Sequence, residues 1–279
     1  MNNIGFMQGR LSPLVDNQIQ AFPFDSWLEE FPLAKNLGFS CMEWTLDYPK
    51  LHLNPLLLDN FTKNIIRLSE DNCIEIPSIT LDCCMQRPFW KAKNNLILNE
   101  LINDFKLIIK SAHNIGSTIL VVPLVDNGSI DNENEFKLLT STFSSLSEIL
   151  MQNKIQIAFE SDYEPYKLSN FINNFDKKLF GINYDSGNSA SLGFNPDDEF
   201  KEYARRIINI HIKDRELHGS TVRLGLGNTN FNKVFNNIEK FNYQGNLILQ
   251  TARSENNEHF KELQINLDFV KNMISRIYK

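Results

Sequence analysis

Cysteine, histidine and glycine are all sparse in this 279-residue chain, with four, five and twelve copies respectively. None of the cysteines (Cys41, Cys73, Cys83 and Cys84) forms a Cys-x-x-Cys pair, which argues against a zinc knuckle or a thioredoxin-like motif. Vicinal Cys83-Cys84 reads as two reduced thiols at a strand end rather than a redox couple. No Gly-x-Gly-x-x-Gly follows the first candidate strand, so nothing is set to cradle a dinucleotide pyrophosphate. Basic residues are scattered and the formal net charge is −6, which argues against a general affinity for nucleic acid. The most apolar run, Ile119 to Val125, is far too short to cross a bilayer. The opening Met1-Asn2-Asn3-Ile4-Gly5 lacks the charged and apolar regions of a signal peptide, so a cytoplasmic location is expected.

What is present is a regular alternation. With 42% hydrophobic and 22% charged residues, the chain has the composition of an ordinary soluble globular protein. Short apolar runs bounded by polar residues predict strands at Ile4–Met7, Cys41–Thr45, Ile74–Thr80, Thr118–Pro123, Ile155–Glu160, Gly181–Asp185, Ile207–Ile212 and Asn246–Gln250. Between them apolar residues recur at helical spacing, as in Trp27, Phe31, Ala34 and in Leu98, Leu101, Phe105, Ile108. The last such stretch runs from about Glu258 to Tyr278. Gly38 and Gly116 stand where helices should end. Strand-first alternation without a linker or low-complexity tract predicts an α/β fold: one (β/α)₈ TIM barrel domain over 1–279.

In such a barrel the chemistry sits where strands end. The fifth run ends in Glu160, the sixth in Asp185, the seventh carries His211 and the eighth ends in Gln250. Two carboxylates, an imidazole and an amide oxygen at the same phase of successive strands form a mostly oxygen donor set. That set suits Mn²⁺, Mg²⁺ or Co²⁺, and Zn²⁺ is compatible. A lone His between Ile210 and Ile212 would ordinarily be a core residue; four matched strand ends make the metal reading the simpler one.

At these residues the chain resembles the xylose isomerase-like TIM barrel superfamily, in particular its sugar phosphate isomerase/epimerase branch. The similarity lies in Ile4-Gly5-Phe6-Met7-Gln8-Gly9-Arg10-Leu11-Ser12-Pro13, Phe159-Glu160, Asp185-Ser186-Gly187-Asn188, His211-Ile212-Lys213-Asp214 and Leu224-Gly225-Leu226-Gly227. The resemblance implies that Glu160, Asp185 and His211 are metal ligands and that Gln250 stands where epimerase-type members have a second ligating glutamate. It places Asn188 where several members have a substrate-contacting His, and matches Arg223 to an arginine that contacts substrate.

Family chemistry of this kind makes a C–H next to a carbonyl acidic and passes through an enediolate. Epimerisation uses two carboxylates on opposite faces, and Gln250 cannot take a proton. Glu160 is therefore expected as the base, with Glu43 the favoured second base ahead of Glu164, Asp214 and His218. Gln8, Arg10, Lys213, Arg215, Arg223 and Arg253 are expected around the substrate, the cations favouring a sugar phosphate or sugar acid. Trp44, Phe89, Trp90 and Tyr184 are either an apolar wall for the sugar or, as such aromatics more often are, simple packing, and Cys83–Asn95 is a loop over the mouth able to act as a lid. The expected activity is that of a metal-dependent isomerase or epimerase of carbohydrate metabolism acting on a small sugar, with Mn²⁺ the first choice of ion. A lyase or dehydratase on a sugar-acid-like substrate is the alternative, as is a non-catalytic carbohydrate-binding barrel that has lost the strand-8 glutamate. A repair endonuclease with a trinuclear site would need more histidines than five. Homo-oligomerisation is left open.

Overall fold

Alternation along the apolar runs divides their side chains into two sets, and the computed structural model, which describes residues 2–48, 50–254 and 256–277, separates those sets in space. The strands are β1 (Ile4–Met7), β2 (Cys41–Thr45), β3 (Ser78–Thr80), β4 (Ile119–Leu124), β5 (Gln156–Ser161), β6 (Phe180–Asp185), β7 (Ile207–Ile212), β8 (Asp214–Arg215), β9 (Thr221–Val222) and β10 (Leu247–Leu249). β1 to β7 and β10 are parallel and close into a barrel in chain order, β10 pairing with β1; β8 and β9 form a small antiparallel pair at its rim. The chain is thus a single-domain TIM barrel with helices between its strands.

The outward set, including Phe6, Met42, Trp44, Phe159, Ile182, Ile210 and Leu249, joins the helices in one continuous apolar core. The inward set makes small layers of its own: Met7, Cys41 and Ile248 in one, Ile119, Val121 and Ala158 in another. Gly5 belongs to the first layer, and a Cβ there would lie 2.6 Å from Cys41 Sγ and 2.8 Å from Ile248 Cδ1. No larger residue fits. Gly38 (φ 82°) ends the helix Glu30–Leu37, as its position in the sequence predicts.

Two expectations need correction. The third strand is Ser78–Thr80, shorter than Ile74–Thr80, because Pro77 has no N–H to give the ladder. The segment after it is no lid: it holds a helix, Asp82–Gln86, and a turn, Phe89–Lys91, whose aromatics are anchored in the core. Phe89 packs 5.5 Å from Phe143, and Trp90 Nε1 donates to Gly128 O at 3.1 Å. Of the two readings of the aromatics, packing holds: Trp44 and Tyr184 point away from the barrel axis, and neither they nor Phe89 and Trp90 form a wall for a sugar. The last helix is His259–Ile277; Tyr278, where it was expected to end, lies outside the described residues. Among the described residues no helix is long and apolar enough to cross a membrane.

Candidate metal centre

The inward phase of β5, β6 and β7 ends in Glu160, Asp185 and His211. Asp185 and His211 are lateral partners in the β6–β7 ladder, and His211 pairs with Ile248 of β10 on its other side. This register brings one donor atom from each of Glu160, Asp185 and His211 within 4.8 Å of the others, and all three residues are buried. His211 Nδ1 lies 3.2 Å from Glu160 Oε2 and 3.9 Å from Asp185 Oδ2.

The other ring nitrogen, Nε2, lies 2.7 Å from Glu43 Oε1. Glu43 is wholly buried on β2, inside the barrel, and also accepts hydrogen bonds from Ser78 Oγ at 2.6 Å, Asn209 Nδ2 at 2.9 Å and Thr80 Oγ1. Expected as a second base, Glu43 instead sits beneath His211 and off the cavity wall. A carboxylate bound to the far nitrogen of a ligating imidazole fixes the ring and raises its basicity. Without an ion the ring stays protonated to about pH 10: burial opposes the charge, but Glu43 and Glu160 outweigh it. Burial also acts to raise the Glu43 carboxyl, yet its contacts with His211, Ser78 and Thr80 bring it below the usual range.

Two amides aim the Glu160 carboxylate: Asn183 Nδ2 donates to Oε2 at 2.7 Å and Asn188 Nδ2 to Oε1 at 2.8 Å. Asp185 caps the short helix that follows it, with Oδ1 accepting from Gly187 N and Asn188 N, which leaves Oδ2 for the cluster. Lys213 Nζ reaches Asp185 Oδ2 at 3.4 Å, Asn188 Oδ1 at 3.3 Å and Gln250 Oε1 at 3.2 Å. Its stem passes over Gly187, where a Cβ would lie 2.6 Å from Lys213 Cγ. Gln250 thus turns its oxygen to an ammonium, and its nitrogen lies 3.3 Å from Met7 Sδ.

The donor set fits a divalent ion. With His211 neutral, the carboxylates of Glu43, Glu160 and Asp185 outnumber the Lys213 ammonium by two charges, which such an ion balances. Two carboxylate oxygens and one imidazole nitrogen also match the ligand preference of Mn²⁺ and its neighbours.

Above the cluster opens a cavity of about 550 Å³, whose walls include Glu160, Asn188, Lys213, Arg215, Gln250, Gln20 and Asp82. The other expected contacts lie apart. Gln8 is fully buried and its Oε1 accepts from Thr45 N at 3.1 Å. Arg10 is spent on the loop that follows β1, donating to Thr251 O at 2.8 Å and Gln20 Oε1 at 2.6 Å. Arg223 is bound to Glu262 at 2.6 and 2.8 Å and, with Arg253, lines a neighbouring cavity. The expected cation cluster is therefore split, because Thr251 O, Glu262 and Ser12 O hold Arg10, Arg223 and Arg253 away from it. Only Lys213 and Arg215 face the site.

The remaining candidates for a second base also lie off the cavity wall. Asp214 is fully buried and ties down the Leu224–Gly227 loop, accepting from Gly225 N, Gly227 N and Thr229 N. Glu164 caps the helix Pro165–Ile172, and His218 lies on the exposed β8–β9 turn. Asp82, which the sequence places near the end of the third strand without a role, also lines the cavity, as do Asp126 and Asp162.

Comparison with known proteins agrees with this architecture. L-ribulose-5-phosphate 3-epimerase UlaE of Escherichia coli O1:K1 / APEC is 20% identical over 258 residues, covering 88% of this chain and 89% of that protein. Inosose dehydratase of Clostridium botulinum (strain Eklund 17B / Type B) is 21% identical over 177 residues, which span 50% of this chain and 59% of the dehydratase. Among solved structures, a xylose isomerase domain protein from Planctomyces limnophilus superposes with a TM-score of 0.78 at 16% identity, covering 99% and 98% of the two chains. The IOLI protein with a bound zinc atom gives 0.74 at 16% identity, covering 99% of each. The family profile for xylose isomerase-like TIM barrels matches residues 31–273, and the chain belongs to that family.

Proposed function

We propose that the protein is a divalent-metal-dependent isomerase or epimerase of a sugar or sugar phosphate, its ion held by Glu160, Asp185 and His211. The observation that carries this reading is the convergence of these three donors beneath a sugar-sized cavity that Glu160 lines, with His211 braced from behind by Glu43. A bound divalent ion supplies Lewis acidity, which makes the C–H beside a substrate carbonyl acidic.

Glu160 takes that proton. It lines the cavity, and Asn183 and Asn188 hold one oxygen each so that the carboxylate does not rotate away. Arg215 Nη1 donates to Asn188 Oδ1 at 3.0 Å, which keeps the Asn188 amide turned toward Glu160. Lys213 and Arg215 are the cations left to bind substrate oxygens. Mn²⁺ is the preferred ion on donor chemistry, and the similarity to UlaE supports a ketose phosphate as substrate.

Gln250 favours a second reading. An amide there cannot return a proton from the β10 side, and one relative is a dehydratase, so loss of water from a keto-sugar is the competing outcome. Protein stripped with chelator and reloaded with Mn²⁺, Mg²⁺, Co²⁺ or Zn²⁺ is to be assayed by NMR and mass spectrometry on L-ribulose 5-phosphate and D-tagatose. Expected are tight binding of one ion per chain, chelator-reversible turnover at constant substrate mass, and loss of turnover in Glu160→Gln. A chain that binds no divalent ion in a direct metal assay overturns the proposal, and a product lighter by one water selects the dehydratase.

A further inference from the structure

The segments that wall the catalytic cavity continue past it. Ile19, in the loop after β1, and Thr221, on β9, line the cavity above Glu160 and also a second one of about 630 Å³ beside it. Thr221 lies opposite Arg215 in the β8–β9 pair, and that pair is no part of the closed barrel. The two cavities therefore adjoin along one loop and one hairpin added at the rim. Each has the volume of a small-molecule site, and the chemistry proposed above uses only the first.

The lining of the second cavity selects among ligands. Its charged groups among the described residues are Arg223, Arg253, Glu258 and Glu262, two of each sign. Arg223 is spent on Glu262, at 2.6 and 2.8 Å, and Arg253 Nη2 donates to Ser12 O. A phosphate there would lie against the two carboxylates or draw Arg223 from its partner, so the balance favours a neutral group. Ser220, Thr221 and Asn256 offer two hydroxyls and an amide, which both donate and accept as a polyol requires. Beside them Ile19 and Leu226 are 48% and 70% exposed, apolar surface that the C–H face of a sugar ring would remove from water.

We infer that the second cavity is a subsite for a second, neutral sugar unit, so that the substrate is a ketose carrying a glycosyl group. The inference rests on the isomerase/epimerase reading above and names its substrate class. The likeness to UlaE, at 20% identity, bears on the ketose end; the charge balance of the second cavity bears on the group attached to it. The ketose sits over Glu160, Asp185 and His211, and the glycosyl unit passes between Ile19 and Thr221. Held there, remote from the reacting carbon, it lends its binding energy to orienting the ketose.

The test compares three ligands that share one ketose: D-fructose, D-fructose 6-phosphate and isomaltulose, which carries a glucosyl unit on O-6 of fructose. Turnover and deuterium uptake in D₂O are read on the Mn²⁺-loaded protein, with binding followed by titration calorimetry. Isomaltulose should exceed D-fructose in kcat/KM by about tenfold or more, and D-fructose 6-phosphate should not. Ser220→Trp sets a large ring in the second cavity alone, so the ratio of isomaltulose to D-fructose should fall toward one. Leu226→Ala, at an exposed position, should lower the ratio too. Thermal melting and metal content on each variant confirm a folded, loaded protein. Equal kcat/KM for isomaltulose and D-fructose overturns the inference, as does a ratio that neither variant changes. A preference for D-fructose 6-phosphate gives the cavity to phosphate and overturns it as well. Should the parent turn over and exchange none of the three, the isomerase/epimerase reading fails. Tighter binding of isomaltulose than of D-fructose, lost in Ser220→Trp, would then still uphold the second cavity, and equal binding would sink both.

Discussion

His211 Nε2 lies 2.7 Å from Glu43 Oε1, both side chains wholly buried inside the barrel and joined from β7 to β2 across its axis. The contact sets which nitrogen turns to the other two carboxylates: with Nε2 tied to Glu43, Nδ1 faces Glu160 and Asp185 and lies 3.0 Å from Asn183 Nδ2.

Glu43→Gln should leave the cluster in place but weaken its hold on metal. The amide keeps hydrogen bonds to its neighbours while losing the charge that makes the imidazole a strong donor, so Mn²⁺ affinity should fall about 10- to 100-fold. Glu43→Ala should do more, leaving Ser78, Thr80, Asn209 and His211 without their common acceptor, at a cost of about 3–5 kcal/mol in stability. Metal competition titration checks the first, and urea denaturation the second.

Metal uptake should release a proton. The folded, ion-free protein holds His211 protonated to about pH 10, and a ligating imidazole must be neutral at the nitrogen it donates. Calorimetry at pH 7.5 in buffers of differing ionisation enthalpy should report about one proton displaced per ion. The same shift fixes a sign for stability: the ring's contribution is full below its unfolded pKa of about 6.5 and is lost as pH rises through about 10.

Asp82 acts on stability in the opposite sense to a paired carboxylate. Its folded pKa is raised to about 8, so the folded chain keeps a proton that the unfolded chain gives up. The parent therefore loses stability from this group as pH rises from about 4 to about 8. Asp82→Asn, uncharged throughout, should unfold at higher urea than the parent at pH 8 and show a smaller advantage at pH 5.

Gly187→Ala should damage the site without touching a charge. The added Cβ would meet Lys213 Cγ at 2.6 Å and the Lys213 backbone carbon at 3.0 Å, in a place where both neighbours are packed. A loss of about 1–3 kcal/mol is expected by denaturation, with turnover falling as Lys213 is displaced.

Gln250→Glu should tighten metal binding. It places a carboxylate beside Lys213 and Asp185, at the end of the strand next to His211. About tenfold in the dissociation constant, or 1.4 kcal/mol, is the expected change by titration calorimetry. Activity in this variant with none in the parent would favour a barrel that has lost its strand-8 base.

How much of this was legible in the chain follows from range. The bounds of β1, β2 and β7 can be read directly, because a buried parallel strand is a short apolar run whose limits are set by its own residues. The phase that brings Glu160, Asp185 and His211 together is equally local: each occupies an inward position near the end of its strand, and period two then dictates the side. The closed barrel converts three local phases into one cluster.

Radial depth and direction at the rim were settled elsewhere. Glu43 looks like any strand-end carboxylate until the barrel closes and places it under His211, where Ser78, Thr80 and Asn209 supply its hydrogen bonds. Arg10, Arg223 and Arg253 appear in sequence as one positive group, yet Glu262 and backbone carbonyls draw each away from the site. Asp82 is unremarkable as a letter after β3; the core anchoring of Phe89 and Trp90 holds its segment in place beside the cavity, where no described residue bonds to it. Sequence alone determined the phase of β5, β6 and β7, and hence that Glu160, Asp185 and His211 point inward, since this depends on neighbours one or two residues away. Tertiary structure decided which carboxyls brace, which cap and which face the cavity, because burial and partnership depend on residues far apart along the chain.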